Sequence, residues 1–340
     1  MEDTKKSKRP LLIVIIIIVV LIAAALIWYF GYKVPQDNAH AEALGNYISA
    51  VPEYNDAVAA YNEEANEYNK ILSAIEEKNA ILSEAVDEAQ EDLNSDLEPY
   101  DVTTKERLSD EIGAALRALV EAPESKQNYT PLEVTESVSN LKTEDLNVKV
   151  TNIKAESTEL ASAKETIASN KSALSLPDYS SVLTDLDEAK IAFHDSVAVL
   201  QQVTNPTEDF VVSRLTELEN VGVVAPATED NDPNGQLNKP GGYTAAVFFS
   251  SPLVVDEYGF YTGNPIEDAT SGGGSVEVYE NVDNAIRRND YLASFDGTVL
   301  ASGSHTVVGT CIVRTSHDMA ASKQKALEAE IIEVLTRLDK

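Results

Sequence analysis

A single uninterrupted apolar run limits what this chain can fold into more than any other feature of its sequence. Residues 11–30 read LLIVIIIIVVLIAAALIWYF and contain no charged residue and no proline. A helix of this length rises about 30 Å, which matches the hydrocarbon thickness of a bilayer, and it satisfies its own backbone hydrogen bonds. The run therefore predicts a transmembrane signal anchor over residues 11–32, with Trp28, Tyr29 and Tyr32 at its outer boundary.

The charges that flank the run predict its orientation. Only Lys33 follows it before the acidic part of the chain, whereas four basic side chains precede it: Lys5, Lys6, Lys8 and Arg9. Because basic residues stay on the cytoplasmic side of a membrane, residues 1–10 are predicted to be a cytoplasmic tail. The C-terminal bulk is then extracellular, and the chain is a single-pass cell-membrane protein that contacts lipid through residues 11–32.

A cleaved signal peptide is the alternative to an anchor, because Ala39-His40-Ala41 has the A-x-A form of a cleavage site. Signal peptides usually carry a shorter apolar stretch of about 7–15 residues. The length of the run favours the uncleaved anchor, and whether the anchor is ever cleaved is left open by the sequence.

Charge and cysteine content exclude several classes of protein. The net charge of −31 argues against a nucleic-acid partner, since phosphates would be repelled. Cys311 is the one cysteine, so the chain has no intramolecular disulfide and no paired-cysteine metal or redox site. The four histidines do not form the HExxH pattern of a zinc enzyme.

Residues 37–204 have the spacing of paired helices. Two series of residues alternate at steps of three and four over about seven heptads, as is typical of a coiled-coil seam. One series is Leu44, Val51, Val58, Ala65, Leu72, Asn79, Val86 and Leu93, and the other is Tyr47, Tyr54, Tyr61, Tyr68, Ile75, Leu82 and Ala89. Asn79 is interpreted as a polar residue that sets the register, and the tyrosines as packing residues. A sugar- or peptide-binding tyrosine ladder is the alternative.

Further helices are predicted after this first long one. Thr103 and Glu106 form a predicted capping box for a short helix. A later helix places apolar residues seven apart, at Leu146, Ile153, Leu160, Ile167 and Leu174. The later helices are long enough to fold back along the first, which predicts an antiparallel coiled-coil stalk within one chain. A parallel homodimer through the stalk is the alternative.

Composition changes after Asn205-Pro206, where glycines and β-branched residues become frequent. Residues 205–340 are predicted to form an antiparallel sheet with helices covering one face, which makes the chain α+β overall and the module a ferredoxin-like variant. Its last hairpin is predicted to pair strands Thr298–Ser302 and Thr306–Thr315 around Gly303-Ser304.

One loop of this module matches the opening of a calcium-binding loop. Asp230-Asn231-Asp232-Pro233-Asn234-Gly235 has oxygen-bearing side chains at the first, third and fifth positions, followed by glycine. The candidate metal ligands are Asp230, Asp232, Asn234 and Asn238. Against calcium, Gly241 occupies the twelfth position, where a glutamate belongs, and Asp-Pro-Asn-Gly is also a favourable type I turn. Both interpretations stay open.

Catalytic patterns are weak. Ser304 and His305 suggest a cell-surface hydrolase, but no G-x-S-x-G surrounds the serine. Cys311 is expected to be a small buried strand residue. Arg287, Arg288 and Arg314 are expected to pair with neighbouring carboxylates, and binding of an anionic ligand is the alternative. The prediction is a protein that is not an enzyme and needs no cofactor other than a possible Ca²⁺.

Several segments of the module carry a resemblance to a known group of proteins. They are TEDNDPNGQLNK (228–239), GGGSVEVYE (272–280), YLASFDGTVLASGSHTVVGT (291–310) and IVRTS (312–316). The chain resembles uncharacterised single-pass, coiled-coil-stalked surface proteins of Gram-positive bacteria, some of which are labelled adhesin-like. The resemblance implies a cell-surface location and this domain plan, and it implies no chemistry.

The sequence therefore predicts a membrane-anchored structural or interaction protein that presents a small binding module on an acidic helical stalk. Its partner is expected to be a protein or another component of the cell envelope. A calcium-dependent adhesion or ligand-binding module that uses the Asp230–Gly235 loop is the alternative function.

Overall fold

The computed structural model describes residues 9–298 and 301–339 and contains both helices and a β-sheet. The chain divides into two compact units. Unit 1 combines the chain up to Ile81 with Val120–Asp178, and unit 2 combines Leu82–Leu119 with the chain from Tyr179 onwards.

The apolar run forms a helix, as predicted. Helix α1 (Arg9–Trp28) passes through one π-helical turn, Tyr29–Lys33, into helix α2 (Val34–Leu93), which is 60 residues long. Among the described residues, this stretch is the one that is long and apolar enough to cross a membrane, and no part of its apolar window is buried by the rest of the chain.

Unit 1 buries the side chains that the heptads place on the seam of α2. The buried α2 residues include Tyr47, Val51, Tyr54, Val58, Tyr61, Ala65, Tyr68 and Leu72. Helix α4 (Thr143–Ala173) packs against them with Leu146, Ile153, Leu160 and Ile167. Most of the core positions predicted for these two helices are confirmed, whereas Leu44, Leu93 and Leu174 are only partly buried.

The direction of α4 differs from the prediction. His40 near the start of α2 bonds the carbonyl of Leu141 at 2.9 Å, and Lys171 near the end of α4 pairs with Glu64. Helix α4 therefore runs parallel to α2, and the antiparallel arrangement predicted for it is wrong. The chain travels back along α2 in an extended segment, residues 119–135, which we call the return segment. An extended residue covers about twice the rise of a helical one, so few residues suffice.

Unit 2 contains the end of α2, helix α3 (Thr103–Ala118) and helix α5 (Ser180–Gln202), which share one apolar core. Lys190 pairs with Glu88 and His194 with Asp92, each at 2.8 Å, so α5 also runs parallel to α2. Helix α3 runs antiparallel to α5, because Asp101 bonds Ser196 and Arg107 pairs with Glu188.

The predicted capping box of α3 is wrong in detail. Thr103 is the first helical residue and donates its N–H and its hydroxyl to the Asp101 carboxylate, at 3.0 and 2.8 Å. Asp101 therefore caps the helix, because its carboxylate accepts hydrogen bonds and also favours the positive end of the helix dipole.

The C-terminal part of unit 2 contains a five-stranded antiparallel sheet in the order β1-β2-β3-β5-β4. The strands are β1 (Val224–Pro226), β2 (Tyr243–Ser250), β3 (Gly273–Tyr279), β4 (His305–Val308) and β5 (Cys311–Thr315). The remaining helices are α6 (Glu208–Leu215), α7 (Pro265–Asp268), α8 (Val282–Ala293) and α9 (Ala321–Thr336). Strands β3 and β4 run in the same direction with β5 between them, so β3, α8 and β4 form a split β-α-β unit.

The last hairpin is shifted relative to its prediction. Strands β4 and β5 turn at Gly309 and Thr310, in the middle of what was expected to be one strand, Thr306–Thr315. Gly309 has a φ of +60°, a conformation that favours glycine at a tight turn. The strand predicted at Thr298–Ser302 falls partly on residues 299–300, which lie outside the described residues.

Helices cover both faces of the sheet, so the expectation of one covered face is wrong. Helices α6 and α9 pack against the face that carries Val247, Val276 and Val313, and α8 packs against the face that carries Phe248 and Ile312. The reason lies in the strands, since β3 and β5 are buried at every position and neither face is left for water.

A buried charge cluster joins β3, β5 and α8. Glu277 is fully buried and accepts hydrogen bonds from Arg314 at 2.6 Å, from Arg288 at 3.2 Å and from the Tyr279 hydroxyl at 2.8 Å. Burial alone would raise the pKa of Glu277, but the two guanidinium groups outweigh it and hold that pKa below its usual range. The expected pairing with a carboxylate is confirmed for Arg288 and Arg314, whereas Arg287 donates to the side chain of Asn284 at 3.0 Å.

We expect Glu277→Ala to lower the opening free energy of the β3 amides by about 3–5 kcal/mol, because two buried guanidinium groups lose their counter-charge. Hydrogen exchange measures this free energy for one element of a larger protein. The matched control is Glu280→Ala, which changes an exposed carboxylate next to β3 and should stay within about 0.5 kcal/mol of the parent. Equal effects of the two changes would contradict the assigned role of Glu277.

Candidate functional site

The predicted calcium loop is organised around the carboxylate of Asp232. One oxygen, Oδ1, accepts the N–H of Asn234 at 3.0 Å and the hydroxyl of Tyr243. The other, Oδ2, accepts the N–H groups of Gln236 and Leu237 at 2.6 and 2.9 Å. Burial would raise the pKa of Asp232, but these hydrogen bonds outweigh it and lower that pKa. The carboxylate therefore stabilises the turn itself.

The other three candidate ligands lie on the same loop. Asp230 and Asn234 are exposed, and Asn238 donates its amide to Glu229 at 2.8 Å. Within residues 9–298 and 301–339, no three His, Cys, Asp or Glu side chains are gathered as a metal site. Calcium binding by this loop stays a prediction.

The residues considered for catalysis do not form a nucleophile–base pair in the described structure. The Ser304 hydroxyl shares a hydrogen bond of 2.8 Å with Thr315, while the His305 ring bonds Asn289 at 2.7 Å and faces Asp296 at 3.4 Å. Cys311 is buried in β5, as predicted, and burial raises the pKa of its thiol to about 12. A neutral, buried thiol is a poor nucleophile.

An exposed aromatic loop follows strand β2. The side chains of Tyr258 and Phe260 are 77% and 76% exposed, and their ring centroids lie 5.6 Å apart. The loop is closed by Asp256, whose carboxylate accepts the N–H groups of Phe260 and Tyr261 at 2.9 and 3.0 Å. These hydrogen bonds fix a loop on which two aromatic rings face solvent. The exposed rings bury little apolar surface and so contribute little to the stability of the fold.

The two rings border a cleft of about 320 Å³. The same cleft is lined by Glu257, His317 and Asp318. Asp318 accepts the hydroxyl of Tyr261, and burial together with this bond raises the pKa of Tyr261 to about 12. Aromatic faces beside carboxylates suit a ligand that has apolar or cationic groups. We call Asp256–Tyr261 with this cleft the aromatic site.

A second polar arrangement lies in unit 1. Three asparagines of α2 each bond both backbone groups of one residue in the return segment. Asn55 accepts the N–H of Leu132 and donates to its carbonyl, at 2.7 and 2.9 Å. Asn62 does the same with Tyr129, at 2.8 Å for both bonds.

The third member of this set is Asn69, which bonds the N–H and the carbonyl of Lys126, again at 2.8 Å for both. Farther along α2, Asn79 donates to the carbonyl of Val120 at 2.7 Å. Asn79 was interpreted as a register-setting residue, and here it holds the start of the return segment. We call Asn55, Asn62 and Asn69 the asparagine ladder.

Sequence reasoning missed this ladder although a signal was present. The dipeptide Tyr-Asn occurs at 54–55, 61–62 and 68–69, which is a repeat of seven residues. The heptad analysis considers the tyrosines as seam residues and assigns no role to the asparagine that follows each one. A polar residue that keeps the heptad period beside the seam marks a second, ordered contact.

Comparison with known proteins adds no relative: no protein family, no curated protein and no solved structure matches this chain.

The pKa of Asp256 gives the aromatic site a pH dependence. The N–H groups of Tyr261 and Phe260 lower this pKa below its usual value of about 3.9. Because the folded pKa is the lower one, the stabilisation is complete above about pH 4 and is lost as the pH falls through the folded value.

We therefore expect the Phe260 and Tyr261 amides to keep constant exchange protection above about pH 5 and to lose it on acidification below about pH 4. Amide exchange followed by NMR or mass spectrometry, corrected for the intrinsic rate at each pH, measures this. In Asp256→Asn the protection should be low and flat over the same range, and an Asp256→Asn profile identical to the parent would contradict the role of Asp256.

Proposed function

We propose that this chain is a membrane-anchored, extracytoplasmic interaction protein without catalytic activity, whose module at residues 205–340 binds a component of the cell envelope. Helix α1 is the anchor in the cell membrane, with residues 1–10 in the cytoplasm. The aromatic site is the surface that contacts the partner.

The exposure of α1 is the single observation that carries this proposal. Its large apolar side chains from Leu12 to Ile27 are about half exposed or more, on all sides of the helix. Such a surface is stable in lipid and strongly unfavourable in water. Trp28, Tyr29, Phe30 and Tyr32 follow it, also exposed, as residues of an interfacial belt do.

The finer architecture is part of the same proposal. The seven-residue seam supports a coiled coil for residues 37–204, acting as a stalk, and the split β-α-β unit supports a ferredoxin-like variant for the module. The resemblance to single-pass, coiled-coil-stalked surface proteins of Gram-positive bacteria agrees with this plan. A homodimer through the stalk is the alternative to this arrangement within one chain.

The orientation is testable by cysteine labelling, because the native Cys311 is buried with a raised thiol pKa and should stay silent. We expect a membrane-impermeant maleimide to label Ser73→Cys on intact cells, since Ser73 is exposed on α2. Ser7→Cys, on the cytoplasmic tail, should react only after the membrane is permeabilised. Labelling of Ser7→Cys alone on intact cells would refute the orientation, and recovery of the full chain in a soluble fraction would refute the anchor.

The aromatic site is testable by site-specific photo-crosslinking in intact cells. A photoreactive phenylalanine in place of Tyr258 is expected to form a discrete crosslinked product, because this ring faces solvent at the cleft. The matched control is the same residue in place of Ile286, which is 45% exposed on α8 of the same module. Products of equal yield at both positions, or none at Tyr258, would contradict the assignment.

A calcium-dependent binding module remains the alternative function. It requires Ca²⁺ to displace the Tyr243 hydroxyl or the backbone N–H groups from the Asp232 carboxylate, since both of its oxygens already accept hydrogen bonds. Because the turn is already closed by these hydrogen bonds, an interaction protein that does not depend on calcium is the favoured proposal.

A further inference from the structure

The asparagine ladder has a spacing that matches an extended polypeptide. Its members are seven residues apart on α2, and the residues they bond, Leu132, Tyr129 and Lys126, are three apart on the return segment. Seven helical residues rise about 10.5 Å, and three extended residues span about 10 Å. The helix and the extended chain therefore stay in register over successive rungs.

The ladder ends where the backbone of the return segment stops offering a donor. The next three-residue step after Lys126 reaches Pro123, which has no N–H. The next seven-residue step after Asn69 reaches Glu76, whose carboxylate has no N–H to donate to a carbonyl. The seven-and-three spacing is therefore interrupted after Asn69 and Lys126, and farther along α2 Asn79 bonds Val120 of the return segment.

The asparagine ladder contacts the backbone of the return segment, and the side chains of that segment contribute little burial. Within residues 119–135, all of which are described, no side chain is fully buried. Tyr129 packs edge-on against Tyr61 at 4.9 Å between centroids and is still 49% exposed. Paired bonds to N–H and C=O are available from any residue except proline, so this mode of binding tolerates changes of side chain.

We propose that α2 carries a binding groove for extended polypeptide, formed by the asparagine ladder and by Tyr54, Tyr61 and Tyr68, and that it binds the return segment of a second copy of this chain in exchange for its own. The return segment supplies the argument for this occupant, since it already fills the groove within one chain. Exchange of an identical element between copies keeps every bond and forms a dimer at low cost.

The test uses the full chain in detergent micelles and a fluorescent peptide with the sequence of residues 120–134. A variant with Lys126→Pro, Tyr129→Pro and Leu132→Pro removes the three N–H groups of the internal segment and should open the groove. Fluorescence anisotropy is expected to show binding at least about tenfold tighter to this variant than to the parent, because the internal competitor is gone.

Two matched controls separate backbone binding from other causes. A peptide methylated on the backbone nitrogens of residues 126, 129 and 132 keeps every side chain and should bind at least about tenfold more weakly. Adding Asn55→Ala, Asn62→Ala and Asn69→Ala to the opened variant should produce a similar loss. Equal binding of the methylated and unmethylated peptides would overturn the proposal.

A second measurement leaves the internal segment intact and so does not depend on the folding of the opened variant. Asn128 donates to Asn66 at 3.1 Å, so cysteines at these two positions are within reach of a short bismaleimide crosslinker. Chains with Asn66→Cys are mixed with differently tagged chains with Asn128→Cys and treated with this crosslinker. Exchange predicts a crosslink between the two tags well above that of Asn66→Cys with Ser139→Cys, a position near His40 at the other end of the groove. A yield no higher than this control would overturn the exchange.

Discussion

The apolar seam of α2 is the constraint on which the helical part of this protein depends. A helix of 60 residues that places tyrosine, valine and leucine on one stripe has to cover that stripe along its whole length. In unit 2 the cover is supplied by α3 and α5. In unit 1 it is supplied by α4 and by a segment that has no secondary structure of its own, the return segment. The same requirement is therefore met in two physically different ways.

The return segment shows what an extended chain needs in order to replace a helix in such a position. A helix satisfies its own peptide groups, whereas an extended segment against a helix has no strand to pair with. The amides of Asn55, Asn62 and Asn69 take the place of that strand by bonding an N–H and a carbonyl each. Because the ladder satisfies these peptide groups, Leu132 and Ala122 can pack against the seam without leaving the backbone unbonded.

Carboxylates serve the module in the same manner. Asp232 and Asp256 each close a loop by accepting backbone N–H groups, and Glu277 holds two guanidinium groups beneath α8. The acidic side chains of this protein are thus not all solvated surface groups, because these three carboxylates accept hydrogen bonds that stabilise the fold. They leave Tyr258 and Phe260 exposed on a loop of defined conformation, which is the property expected of a contact surface.

Local patterns predicted the helices well, since the apolar run and the seven-residue seam depend only on spacing along one element. Residues 11–30, the buried positions of α2 and α4, and strand β2 are all visible in the sequence for this reason. The direction and pairing of the elements were not predicted correctly. The parallel course of α4, the covering of both sheet faces and the turn at Gly309 depend on which elements pack together in the folded chain. The spacing of apolar residues does not show which helices or strands pack together, or in which direction, when several of them have similar apolar faces. The asparagine ladder combines both cases. Its seven-residue period is visible in the sequence of α2, whereas the extended segment that it bonds is far away in the sequence and is brought to it only by the tertiary structure.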